Sequence, residues 1–176
     1  FRSLAKKPES TASNGLPPAE NATAPKSRYP GLPGFVVVKD GIASGRTPTA
    51  EGLDLLKKGG YRTLVHLHPE GADVTEIQAE AEKRGLSFIA IETTPGQFTA
   101  AAQAFNRVVG TPANRPVYVS DENGVRAGVL WYAHFRTVDI LNADAASIRS
   151  RPLGYTEDGD EMKTFQVALQ QYLATH

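Results

Sequence analysis

The sequence predicts an α/β fold: a three-layer sandwich in which a mainly parallel central sheet is flanked by helices. Three observations predict it. Short apolar runs of strand composition, RTLVHL (62–67), SFIAI (87–91) and PVYV (116–119), recur along the chain. A single stretch of helical periodicity separates each from the next, and one-helix crossovers imply right-handed connections and parallel pairing. The runs are continuously apolar rather than alternating, as strands buried on both faces are.

Each element has a local reason. Phe35 to Val38 is a strand closed by the turn Lys39-Asp40-Gly41, and Ile42 to Gly45 returns as its partner. Thr47 and Pro48 have the character of a helix cap and first helical residue; Leu53 and Leu56 share the face of that helix, and Gly59-Gly60 ends it. After the strand 62–67, Asp73-Val74-Thr75-Glu76 has capping-box spacing for a helix carrying Ile77 and Ala81 and ending at Gly85. Strand 87–91 follows. Phe98, Ala102, Phe105 and Val109 then recur at helical spacing. Beyond strand 116–119, an apolar helix spans Gly128 to Leu141, with its start near Arg126; Trp131, Tyr132 and Phe135 read as its core face. Phe165, Leu169 and Tyr172 form one stripe of a closing helix.

Composition bounds the rest. The 176 residues carry 19 Lys plus Arg against 19 Asp plus Glu, so no strong field exists to attract nucleic acid or an anionic membrane. No run approaches the roughly 18 apolar residues of a membrane span. There is no Cys, which excludes disulfides, thiolate metal sites and cysteine nucleophiles. The charge balance is uneven along the chain. Residues 1–34 hold six of the 12 prolines and five basic residues against two acidic ones, a net +3, which leaves −3 on residues 35–176. A Pro/Ala/Ser/Asn-rich segment cannot bury enough surface to offset its ordering entropy, so residues 1–34 are expected to be a disordered linker and 35–176 the domain. The first residue is Phe, and a linker of this kind often follows a cleaved signal peptide or a removed membrane anchor; an exported or periplasmic location is therefore favoured over a cytoplasmic one. Asn21-Ala22-Thr23 is a formal glycosylation sequon, common by chance.

In a parallel sheet the site lies at the carboxyl ends of the strands, which brings together residues 68–73, 92–97 and 120–126. PVYVSDENGVRAGVLW is the most informative stretch. A buried strand runs into a short polar loop containing Gly124 and then into a helix, so that backbone N–H groups and the positive helix end converge where an oxyanion would sit, and Arg126 can add a bidentate fork.

This stretch resembles the signature loop of the protein tyrosine and dual-specificity phosphatase superfamily, in the bacterial variant where His-Cys is followed by four residues and then Arg. On that alignment Ser120 stands at the His position, Asp121 at the nucleophilic Cys, Glu122-Asn123-Gly124-Val125 form the loop, and Arg126 is the phosphate-binding Arg. Upstream, FVVVKDGIASGRTPTAEGLDLLKKGGYRTLVHLHPEG is similar to the N-terminal half of such bacterial domains, with their strand pair, SGQPT-like turn, helix and VINLRPE-like strand. His68 falls where relatives often have Arg, so the resemblance makes it a pocket-lining residue. The implied fold is phosphatase-like.

The departures bear on activity. In the superfamily a thiolate attacks phosphorus and an Asp on a neighbouring loop protonates the leaving oxygen. Asp121 is no simple substitute, because enzymes that form acyl phosphates generally use Mg²⁺ and a second acid, and no adjacent DxD-like pair is present. The loop expected to bear the general acid reads ETTPGQF, with Glu92 as its only acid. A carboxylate at position 121 can itself accept the loop N–H bonds or pair with Arg126, and Glu122 adds a second negative charge. Two like charges about 4 Å apart at an effective dielectric near 20 cost about 4 kcal/mol, so weak or absent phosphate binding is expected near neutral pH.

Other residues admit competing readings. His66 and His68 share a strand face, as paired metal ligands do, yet no third ligand has diagnostic spacing, so packed strand residues are the preferred reading and no metal or other cofactor is expected. Ser120 with His66 or His68 as its base would make a Ser hydrolase, but GxSxG is lacking. Arg115, Arg149 and Arg151, with the acidic run Glu157 to Glu161, read as a solvated face. Three functions follow. The leading one is a catalytically inactive phosphatase-like binding or scaffolding module whose partner is an unknown protein or phosphorylated ligand. The second is a phosphoester phosphatase in which Asp121 replaces the Cys by design. The third is a pocket recruited to another reaction, with Asp121 as acid or base assisted by His68 or Glu92.

Overall fold

The computed structural model describes residues 29–176; the expectations for residues 1–28, including the sequon, lie outside these. In chain order the elements are β1 (Val36–Lys39), β2 (Ile42–Arg46), α1 (Ala50–Lys58), β3 (Thr63–His68), α2 (Thr75–Lys83), β4 (Ser87–Glu92), α3 (Phe98–Gly110), β5 (Val117–Asp121), α4 (Val125–Thr137), α5 (Ala143–Ser150) and α6 (Asp160–Thr175). The five strands form one sheet in the order β1-β2-β5-β3-β4. Only the β1–β2 hairpin is antiparallel; β2, β5, β3 and β4 run parallel, as single-helix crossovers require.

Alternation along the strands sorts the core into two layers. Leu64, Tyr118 and Ala43 point to one face, where they pack with Leu53 and Leu56 of α1 and Ala81 of α2. Val65, Leu67, Val117, Val119 and Ile42 point to the other, where they meet Phe105 of α3, Trp131 and Phe135 of α4 and Phe165 of α6. Trp131 is fully buried, and its one donor, Nε1–H, is satisfied by Ser44 Oγ at 3.1 Å. No helix among the described residues is long and apolar enough to cross a membrane.

Several boundaries differ from the sequence expectations. The packed domain takes in residues 29–34, which composition had assigned to the linker. Leu32 is fully buried, and the carbonyls of Gly31 and Pro33 accept from the Thr49 and Arg46 amides at 3.0 and 2.8 Å. The first of these bonds also explains why α1 starts later than Thr47-Pro48 suggested. With its amide held by Gly31, Thr49 stays extended and is the true cap, its Oγ1 accepting from the Gly52 amide. At α2 the capping box does not form; Asp73 Oδ1 accepts from the Thr75 amide at 3.0 Å, and Glu76 does not reach back. Helix α4 stops at Thr137 rather than 141, because the chain reverses through Ile140 at φ 57° and the Leu141 amide returns to the Phe135 carbonyl. Helix α5 had no counterpart in the sequence reading. Its apolar stripe is weak, and its clearest local signal is Asn142, whose side chain accepts from the Ala145 amide at 2.8 Å.

Candidate functional site

Strand β5 delivers its last two side chains to opposite faces of the sheet. Ser120 points to the α1/α2 face beside its register partner His66 on β3. It is fully buried, its hydroxyl donating to the Val65 carbonyl at 3.3 Å and accepting from His66 Nδ1 at 2.8 Å. The Ser–His contact therefore exists, but as a cross-strand pair inside the sheet layer, with no open approach to Oγ. Burial, and then the neighbouring His68, pull His66 from 6.5 down to about 4, so its ring is neutral; with the Ser120 hydroxyl given to the Val65 carbonyl, Nδ1 is the side that donates to Ser120.

Asp121 points to the opposite face and is 1% exposed. Its Oδ2 accepts from the Ala127 amide, in the first turn of α4, at 2.9 Å. The side chain thus occupies the amide-lined start of the helix, where the unpaired N–H groups and the helix dipole favour negative charge. Burial pushes its carboxyl above the usual carboxylate range; the Ala127 N–H and the positive charges of Arg126 and Arg46 pull in the other direction without prevailing.

The Arg126 guanidinium is not hydrogen-bonded to Asp121, although the Arg126 backbone N–H, like that of Ala127, favours the Asp121 carboxylate. The Arg126 Nε donates to the Thr93 carbonyl at 3.0 Å, one of its terminal nitrogens lies 3.0 Å from Glu161 Oε1, and the guanidinium sits 5.9 Å from the centre of the Phe165 ring. Glu161 belongs to α6, and its second oxygen accepts from Asn123 Nδ2 at 2.6 Å. Asn123 Oδ1 in turn accepts from the Val125 amide, stabilising the turn into α4. The acidic run 157–161, expected as a solvated face, thus contributes the carboxylate that neutralises the loop's arginine.

Arg46 completes the loop and was missed by sequence reasoning. It is the register partner of Asp121 on β2, and its guanidinium lies directly against Gly124. Gly124 has φ 84°, a left-handed conformation open to glycine, and a Cβ there would collide with that guanidinium. The Gly154 region, between α5 and α6, packs against the Gly124 carbonyl from another side. Around the loop two cations, Arg46 and Arg126, stand near two carboxyl groups, those of Asp121 and Glu161. Arg46 could have been suspected from its place in the SGRTPT turn. Glu161 carries no local signal, since it lies 35 residues beyond Arg126.

Glu122 and His68 face elsewhere. With His66 they line a cavity of about 680 Å³ between α1 and α2. Glu92, expected at the pocket wall with His68, ends the edge strand β4 with its side chain exposed and does not line this cavity. Residues 120–126 are therefore one continuous loop in space, whereas Glu92 stands apart from both the loop's hydrogen bonds and the cavity. His134, on α4, is 3% exposed and remote from the loop in function: it accepts from Lys39 Nζ at 2.8 Å through Nε2 and donates through Nδ1 to Asn106 Oδ1, also at 2.8 Å. Among the described residues no group of three or more His, Asp or Glu is placed to share a metal ion.

No family model and no curated protein matches the chain. Solved structures do. The chain is similar to a DUF442 phosphatase-like protein of Shewanella putrefaciens CN-32, with TM-score 0.66 and 15% identity over 83% of this chain and 92% of that one. It is similar to P. aeruginosa TpbA, with TM-score 0.64 and 16% identity over 86% and 89% of the two chains. The core catalytic domain of the PP-IP phosphatase SIW14 from S. cerevisiae, in complex with citrate, gives TM-score 0.64 and 16% identity over 85% and 88%. The chain shares the α/β fold of these phosphatase structures.

Proposed function

We propose that the chain is a phosphatase-fold binding module that does not hydrolyse phosphoesters. One observation carries the reading: at the position where the resemblance places a thiolate, a buried carboxylate accepts the helix-start amide of Ala127 at 2.9 Å and so stands in for the substrate's own oxygen. The supporting geometry is consistent with it. The loop's arginine is already satisfied by Glu161, and Glu92, the one acid of the loop expected to supply a proton, is exposed at the sheet edge. Recruitment of Asp121 as an acid or base in another reaction is disfavoured by its 1% exposure.

An aryl phosphate assay tests the proposal. No turnover above background is expected for the protein as it stands. Turnover that disappears on Asp121→Ala would overturn the reading. Activity gained by Asp121→Cys alone would favour the alternative, a phosphatase carrying a single replaced nucleophile. The expectation here is that Cys alone fails, because Arg126 stays bound to Glu161.

A further inference from the structure

The cavity between α1 and α2 lies on the side of the sheet away from α4, and its volume of about 680 Å³ falls within the ~300–1,000 Å³ usual for small-molecule sites. Its imidazole and carboxylate lining presents acceptors, to which Thr47 and Thr49 add hydroxyls. At its floor is His66, 9% exposed, whose Nδ1–H is taken by Ser120, leaving Nε2 with no partner among the described residues and only acceptor capacity in the neutral ring. His68, stacked at 6.2 Å from it, has its Nδ1 at 2.8 Å from the Pro69 carbonyl, which fixes the same tautomer in the neutral ring and again leaves Nε2 as an acceptor. Carboxylates stand round them. Glu80 is neutralised by Arg84 at 2.8 Å, but Glu76 and Glu122 have no cationic partner among the described residues, and Asp73, held below the ordinary carboxylate range by its bonds to Thr75, stays ionised. Among the described residues no Lys or Arg lines the cavity, and Leu53 and Ile77 supply an apolar wall.

We propose that this cavity binds an organic cation, an ammonium or guanidinium group on a short apolar stem. Such a group carries only donors, which is what two imidazole lone pairs and unpaired carboxylates accept. Its stem replaces water against Leu53 and Ile77. A metal ion is a poorer match, because no three ligating groups among the described residues converge there. The inference is independent of whether the loop at Asp121 turns over phosphoesters, since the cavity opens on the other face of the sheet.

The test is titration of the full chain with benzylamine, followed by amide and imidazole NMR shifts, with benzyl alcohol and benzoate as neutral and anionic probes of the same size. Benzylamine is expected to shift the His66 ring and the Leu53 and Ile77 amides saturably, with a dissociation constant in the millimolar range that small ligands reach. Benzyl alcohol should bind at least roughly tenfold more weakly, and the exposed double change Glu76→Gln with Glu122→Gln should weaken benzylamine about fivefold, the worth of one screened charge pair at 4 Å. His66→Gln, which keeps a side-chain acceptor and donor, should retain the fold and lose the saturable ring-side shifts. Benzoate binding as well as benzylamine, no saturable shift with any probe, or unchanged affinity in the double variant would each overturn the proposal.

Discussion

Glu161 Oε1 lies 3.0 Å from the guanidinium of Arg126, joining the last helix to the loop that follows β5. The arginine is 12% exposed and the carboxylate 40%, so the pair is only partly desolvated and its contribution to stability should be modest, under about 1 kcal/mol. Its larger effect is on binding: an incoming oxyanion must compete with Glu161 for the guanidinium.

Phosphate binding should therefore require two changes together. For the protein as it stands, and for Glu161→Gln, millimolar phosphate should leave the melting temperature unmoved. In a double variant combining Asp121→Ser with Glu161→Gln, phosphate at tenfold its dissociation constant should stabilise by about 1.4 kcal/mol, readable by thermal denaturation. A clear shift in the unchanged protein would refute this account of the loop.

Asp121→Asn should stabilise the domain at neutral pH. Burial raises the folded-state pKa of Asp121, so the native state binds a proton more tightly than the unfolded chain, and the ionised group costs stability as pH rises through the folded value. Asn removes the charge and keeps an oxygen for the Ala127 amide. Urea unfolding should show the gain above that pKa and its disappearance in acid, where the wild-type carboxyl is neutral too.

Two histidines work in the opposite sense. His66 and His134 are each drawn from 6.5 to about 4, chiefly by burial, with Lys39 and Arg149 also opposing a charge on His134 while Asp139 favours it. The unfolded chain then binds more protons between these values. Stability should be full above 6.5 and fall as pH drops towards 4, by at most about 1.4 kcal/mol per pH unit for each ring. Measured in the Asp121→Asn background, which removes the opposing titration, replacing His134 with Gln should reduce the slope by one proton. An unchanged slope would mean that the ring is not neutral in the fold.

Gly154→Ala should be among the most damaging single changes. Gly154 has φ 111°, and a Cβ would meet the backbone of Gly124, which cannot move aside without opening the loop. The left-handed backbone alone costs about 1–2 kcal/mol for a residue with a side chain, and the collision adds to it. Thermal unfolding compared with Gly96→Ala, where the space is open, gives the control.

What the sequence made legible was local. β5 and its loop were visible in PVYVSDENGVRAG because a buried strand, a glycine turn and a helix start are consecutive, and the two-layer core followed from apolar periodicity. The electrostatics of the loop were not visible. Arg46 reaches it through parallel pairing of β2 with β5, and Glu161 through the docking of α6, and neither contact has a signature in spacing along the chain. Boundaries failed for the same reason. Thr49 rather than Thr47 caps α1 because a carbonyl from residue 31 fixes its amide, a tertiary contact that no window of neighbouring residues contains.

The position of Glu161 also has a consequence for the order of assembly during synthesis. Helix α6 leaves the ribosome after every strand of the sheet and after α4, and it brings both the carboxylate for Arg126 and Phe165 and Tyr172, which pack edge-on against Phe98 at 6.3 and 5.6 Å. Until it docks, the nascent chain presents an unneutralised arginine beside an uncovered aromatic face. A chain truncated before residue 160 would keep every strand of the sheet, yet carry an unpaired arginine and a bare aromatic face in place of a closed loop.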